Sequence, residues 1–307
     1  MKHPITPTIM LILLFFTAQL AGLIILGEYI DIKQTHETGK TVKNIEVYKR
    51  VGVEPPEVEN ESFTFIIILI AVLIGTGIVL LIIKFRKKVL WQLWYFLAVL
   101  FSLVIALNPF VFKILNQFNL QNVYLVTVGL AIILSLLKVF KPNVYVHNFT
   151  EIFIYGGIAA LLVPVINIFS AVLLLVLISL YDAYAVWKSK HMIKMAEFQS
   201  VSKVFAGLSV PYAPLKIPNT KKDKMIKTNK NVKTAILGGG DVAFPIIFAG
   251  AVMKTTGSYL APLIITLTTT IALVIILLKG EKGKFYPAMP FLSIGCFVGF
   301  LLAMLLV

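Results

Sequence analysis

A single cysteine, Cys296, set within an apolar run, excludes an intrachain disulfide framework and a cysteine-built metal cluster. Histidine is nearly as sparse. His3, His36, His147 and His191 are scattered and no His-Glu-x-x-His occurs, so zinc-dependent membrane proteolysis is unsupported. No Gly-x-Ser-Gly occurs either, which removes the obvious serine nucleophile. Acids are scarce, with 14 Asp and Glu against 28 Lys and Arg, a net charge of +14. The bases fall between apolar runs, where they set topology and touch anionic headgroups, so no nucleic-acid partner is expected.

Apolar residues are abundant. At 59% hydrophobic over 307 residues, with mean hydropathy +0.92, the chain cannot hide its apolar surface in a soluble core. An all-α polytopic membrane protein is expected. Runs near the ~20 residues a bilayer requires occupy roughly Thr8–Leu26, Phe63–Ile83, Leu90–Leu107, Leu120–Val139, Phe149–Ile166, Phe169–Trp187, Ala235–Met253, Tyr259–Leu278 and Tyr286–Val307. That makes nine. The first is longer than a signal-peptide core and no clear Ala-x-Ala site follows it, so a retained helix is expected. The fifth and sixth are split at 164–167, because together they would overrun a bilayer.

The Lys and Arg of alternate connections, counted from the amino terminus, number 21 in one set and 7 in the other. This predicts a cytoplasmic N-terminus and an outside C-terminus. Trp91, Trp94 and Trp187 fall at predicted inner interfaces, as an aromatic belt would place them. Three parts follow: residues 1–187 with six helices and an outer loop at 28–61, a basic cytoplasmic loop at 188–234, and residues 235–307 with three helices. In the basic loop, Met192, Met195, Phe198, Val201 and Phe205 predict a short interfacial helix, and the lysines of 216–233 a topology anchor.

Two acids lie deep in apolar runs, Asp182 in Ser179–Tyr184 and Asp241 in Leu237-Gly238-Gly239-Gly240-Asp241. An intramembrane acid is by default a functional hypothesis. Asp182 stands six residues before Lys188 and Asp241 eight after Lys233, about 9 and 12 Å along a helix, so the two share a depth. Facing carboxylates 4 Å apart repel by about 4 kcal/mol at an effective dielectric near 20. They are expected to share one proton, one activating water while the other donates to a carbonyl oxygen. Gln19, Asn108 and Glu151 read as interface or interhelical polar groups. Pro245 leaves the Asp241 carbonyl without its helical partner. Pro287 and Pro290 keep Tyr286 and Met289 extended, which offers a segment for pairing with a substrate strand. A proton- or cation-coupled transporter could use the same acids.

Tyr181-Asp182, Gly238-Gly239-Gly240-Asp241 as a Gly-x-Gly-Asp match, and Pro287-Ala288-Met289 as a match to Pro-Ala-Leu occur in runs six, seven and nine. In this order they resemble the presenilin and signal peptide peptidase family, most closely its archaeal homologues. The resemblance implies an intramembrane aspartyl protease of the plasma membrane with Asp182 and Asp241 as its catalytic pair. Tyr181, Gly238, Gly240, Pro287, Ala288 and Met289 would shape the site and bind substrate. The expected substrates are transmembrane helices or signal-peptide remnants. Membrane lipid is the only other expected partner, with no metal, cofactor or obligatory subunit. Met289 replaces the usual Leu, a near-isosteric apolar change, and Gly239 occupies the variable position.

Overall fold

The computed structural model describes residues 4–54, 57–58, 60–85, 87–120, 122–189, 195, 198–199, 204–212, 234–281 and 286–306. Among these residues, nine helices of 16 to 30 residues form the body: α1 (Ile5–Tyr29), α4 (Thr64–Lys84), α5 (Lys88–Gln117), α6 (Val123–Phe140), α7 (Val144–Leu162), α8 (Ile168–Ala183), α9 (Gly239–Thr256), α10 (Leu260–Lys279) and α11 (Met289–Leu306). The connection after α1 carries α2 (Ile32–Thr38) and α3 (Ile45–Val51). The lysines of 216–233, with Met192 and Val201, lie outside the described residues.

Each apolar run seeds one long helix, and among the described residues eight spans are long and apolar enough to cross a membrane. The helix carrying Asp241 is not one of them. Asp241, Lys254 and three glycines dilute its apolar content, yet Val242, Ala243 and all of Pro245–Lys254 are buried. It packs against α1, α7, α8, α10 and α11. A helix enclosed by protein needs no lipid-matched surface.

The structure departs from an all-α architecture where the seventh run begins. Thr234–Gly238 is a strand, β2, paired antiparallel with β1 (Gly207–Pro211), with Ser209 opposite Ile236 and Gly207 opposite Gly238. Pairing with β1 holds Thr234–Gly238 extended, with Ala235 and Leu237 buried on one face of the strand, and the helix begins within the glycine run at Gly239.

The break between α7 and α8 falls at Pro164 and Asn167, as expected, with Asn167 Oδ1 accepting the Ser170 N–H at the start of α8. In α5, Pro109 removes the donor that would reach the Ile105 carbonyl, and the Tyr29 hydroxyl takes its place at 2.6 Å. Trp91 does not sit in an exposed belt. It is buried, stacked near Tyr95 and edge-on to Phe198, while Trp94 and Trp187 remain exposed.

The helix ends sort into two sets. Tyr48 on α3 donates to the Ala160 carbonyl, and Lys254 near the end of α9 reaches Glu61 and Thr41. The opposite end gathers the C-terminus of α8, the N-termini of α9 and α11, the first half of α7 and the hairpin.

Candidate active site

Asp182 stands one residue from the end of α8, where the backbone widens into a turn closed by the Ser189 N–H on the Tyr184 carbonyl, 3.0 Å. Such five-residue turns recur at functional sites. The carboxylate is buried. Its Oδ2 accepts the Met289 N–H at 3.1 Å. This amide opens α11, so the acid serves as that helix's N-terminal cap and faces its positive end. Pro290, which has no N–H to orphan, suits the first turn. One turn up, Ser179 and Ser293 join their hydroxyls at 2.7 Å, fastening α8 to α11. Tyr181 is half-buried beside Asp182.

Asp241 is the third residue of α9. It lies not within a long helix, as its distance from Lys233 suggested, but at the mouth of one. There its charge suits the helix N-terminus. A Cβ at Gly238 would lie 3.1 Å from Asp241 Oδ2, so the carboxylate folds back over that residue and would have to shift by a few tenths of an ångström to admit a side chain. A Cβ at Gly239 would meet the Tyr155 hydroxyl at 3.1 Å and its ring at 3.2 Å. Gly240 is roomier, with the Phe244 ring 3.4 Å away. Gln19, buried on α1, donates to the Val242 carbonyl at 3.0 Å and ties the first turn of α9 to the bundle. The interhelical role expected of Gln19 is thus located.

Sequence reasoning missed α7's part in the site. His147, Glu151 and Tyr155 recur at intervals of four and form one stripe, with Asn148 beside it. Asn148 meets Ser209 twice, donating to its carbonyl at 2.7 Å and accepting its N–H at 3.0 Å, so the side chain imitates a third strand. His147 Nε2 lies 2.7 Å from the Gly207 carbonyl. Glu151 pairs with Lys138 of α6 at 2.7 Å, both side chains almost wholly buried, and also accepts from Tyr155. Glu151 and Lys138 lie in adjacent apolar runs of the sequence. Their opposite charge in consecutive antiparallel spans was the available signal.

Packing brings the elements together. α8, α9 and α11 touch pairwise, so Asp182, Asp241 and Pro287–Met289 belong to one end of one helix cluster. An apolar cleft of about 280 Å³ runs between α8 and α11 beside Asp182, lined by residues including Ser179, Ala183, Trp187, Pro290 and Ile294.

The sequence profile of the family described as signal-peptide peptidase, presenilin aspartyl protease matches residues 42–307. Two solved crystal forms of a presenilin family intramembrane aspartate protease, in space groups P2 and C222, share the fold. Each has a TM-score of 0.61 and 18% sequence identity. The first alignment covers 97% of both chains, the second 98% of this chain and all of the other. No match is found among curated proteins.

Proposed function

We propose, from the premise that the chain belongs to the signal-peptide peptidase and presenilin aspartyl protease family, that Asp182 and Asp241 are the catalytic pair of this intramembrane aspartic endopeptidase. The observation that carries the assignment is the 3.1 Å bond from the Met289 N–H to Asp182 Oδ2. It joins the Pro287–Met289 segment to the acid on a helix that also packs against the one bearing Asp241.

The ionised carboxylate takes a proton from water as the oxygen attacks the scissile carbonyl carbon, and the protonated partner donates to the carbonyl oxygen. Collapse of the tetrahedral species breaks the C–N bond and returns a proton to the leaving amine. Neither acid is assigned a fixed role. A transmembrane substrate must first unwind, because a helical amide in lipid is hydrogen-bonded and shielded. The cleft between α8 and α11 offers it a lateral approach.

The unwound segment adds to β2 rather than to Pro287–Met289, where proline has no N–H and the Met289 amide is engaged by Asp182. Asn148 and His147 occupy the outward groups of Ser209 and Gly207. Because hydrogen-bonded and non-bonded pairs alternate, Ile236 turns its N–H and C=O, and Gly238 its N–H, away from β1, while the Gly238 carbonyl starts the bond ladder of α9. That row, ending three residues before Asp241, is the edge for strand addition. The chain acts without a partner subunit, crosses the plasma membrane nine times and keeps its N-terminus in the cytoplasm.

Purified protein incubated with a synthetic transmembrane peptide tests this by mass spectrometry. New termini are expected from wild type and from neither Asp182→Asn nor Asp241→Asn; cleavage by either variant overturns the assignment.

A further inference from the structure

We propose that Lys138, Glu151 and Tyr155 are positioning residues, a buried polar clamp that holds the β1–β2 hairpin and the Gly239 turn so that Asp241 is presented for catalysis. The inference rests on the assignment of Asp241 to the catalytic pair.

The clamp is fully sequestered: Lys138 and Glu151 show 0% and 2% side-chain exposure. Lys138 Nζ donates to Glu151 Oε1 at 2.7 Å, to Thr150 Oγ1 at 3.0 Å and to the His147 carbonyl at 3.2 Å, and lies 3.3 Å from His147 Nδ1. The Gly207 carbonyl can only accept, so the imidazole carries its proton on Nε2 and turns the Nδ1 lone pair toward Lys138. The Tyr95 hydroxyl stands 2.9 Å from Glu151 Oε1 and 2.8 Å from the Phe205 carbonyl, its one proton shared between them. The remaining carboxylate oxygen accepts from Tyr155, whose hydroxyl lies against Gly239, two residues before Asp241.

Helix packing alone does not call for these groups. A buried ion pair is often no more stabilising than an apolar pair of the same volume, because desolvation offsets the attraction. What an apolar pair lacks is the ability to orient other polar groups. Two branches stay on α7, at Thr150 and the His147 carbonyl, while those through the His147 ring, Tyr95 and Tyr155 reach Gly207, Phe205 and Gly239 at the hairpin and the turn into α9. Gly239 N–H donates to the Ala206 carbonyl at 3.2 Å, so the two ends of the clamp meet in one backbone bond.

The test measures kcat, KM and melting temperature in detergent for Tyr155→Phe and for two double variants. Lys138→Met with Glu151→Leu removes the acceptor for Tyr155; Lys138→Met with Glu151→Gln keeps one. Tyr155→Phe and the Met/Leu variant are expected to lose about tenfold to a hundredfold in kcat, with KM and melting temperature near wild type. The Met/Gln variant regains the part of the rate that depends on Tyr155 and stays below wild type, because the Lys138 bonds to Thr150 and the His147 carbonyl remain lost. Wild-type kcat in Tyr155→Phe overturns the inference, as does a rate loss that tracks a lowered melting temperature in all three. Asp241→Asn is run alongside: if it still cleaves, the catalytic assignment fails instead, whatever Tyr155→Phe does.

Discussion

Replacing Asp182 separates its two duties, acid–base chemistry and support of α11. Asparagine keeps a carbonyl oxygen where Oδ2 accepts the Met289 N–H at 3.1 Å; alanine keeps nothing. In the alanine variant the Met289 amide, at a buried helix start, loses its acceptor. An unsatisfied buried donor costs about 1–3 kcal/mol and loss of an N-cap about 0.5–2 kcal/mol, overlapping measures of one defect. Asp182→Ala should therefore be about 2 kcal/mol less stable than Asp182→Asn. Both lose the proton-transferring carboxylate, which should lower the rate by about 10²- to 10⁴-fold. Denaturant titration in detergent gives the first quantity, and single-turnover cleavage of a transmembrane peptide the second. If the two variants unfold at the same denaturant concentration, Asp182 does not cap α11. If Asp182→Asn cleaves at more than a few per cent of wild type, the acid does not move a proton.

Gly238→Ala places a methyl 3.1 Å from Asp241 Oδ2, whereas Gly240→Ala places one in ordinary contact with Phe244; kcat should fall further for the first, with stability similar in both. Asn148→Ala strips Ser209 of both partners, and hydrogen exchange at the hairpin amides should accelerate while exchange in α10 stays unchanged. Lys254→Met leaves Glu61 and Thr41 without their cation; a loss of about 1–2 kcal/mol is expected, below the 3–5 kcal/mol of a fully buried pair because Glu61 is partly exposed. In a Cys296→Ser background, Glu37→Cys should react with an impermeant maleimide added outside intact cells and Ser189→Cys should not; the reverse pattern refutes the proposed orientation.

Much of the architecture was legible because membrane helices announce themselves in length and apolarity. The nine runs, the break at Pro164–Asn167 and the pairing of Pro287–Met289 with Asp182's end of the bundle could be read from composition, helix breakers and charge between spans. The strand at Thr234–Gly238 could not. A five-residue apolar stretch abutting a helical run carries no periodicity that tells strand from helix, and its partner at Gly207–Pro211 lies across a long basic segment. Trp91 was misplaced for a related reason: an aromatic near a span's end suits a lipid interface and a protein interior equally.

What the sequence determined by itself is which residues are too costly to leave in lipid: Asp182, Asp241, Lys138 and Glu151 each sit in an apolar run, and each must find a polar partner. Which partners they find was decided only by the tertiary structure. Asp182 meets the Met289 amide of α11, Glu151 meets Lys138 and two tyrosines, and Asp241 folds back over Gly238. Desolvation is a property of one side chain in its segment, whereas hydrogen-bond geometry depends on how helices distant in sequence cross and rotate.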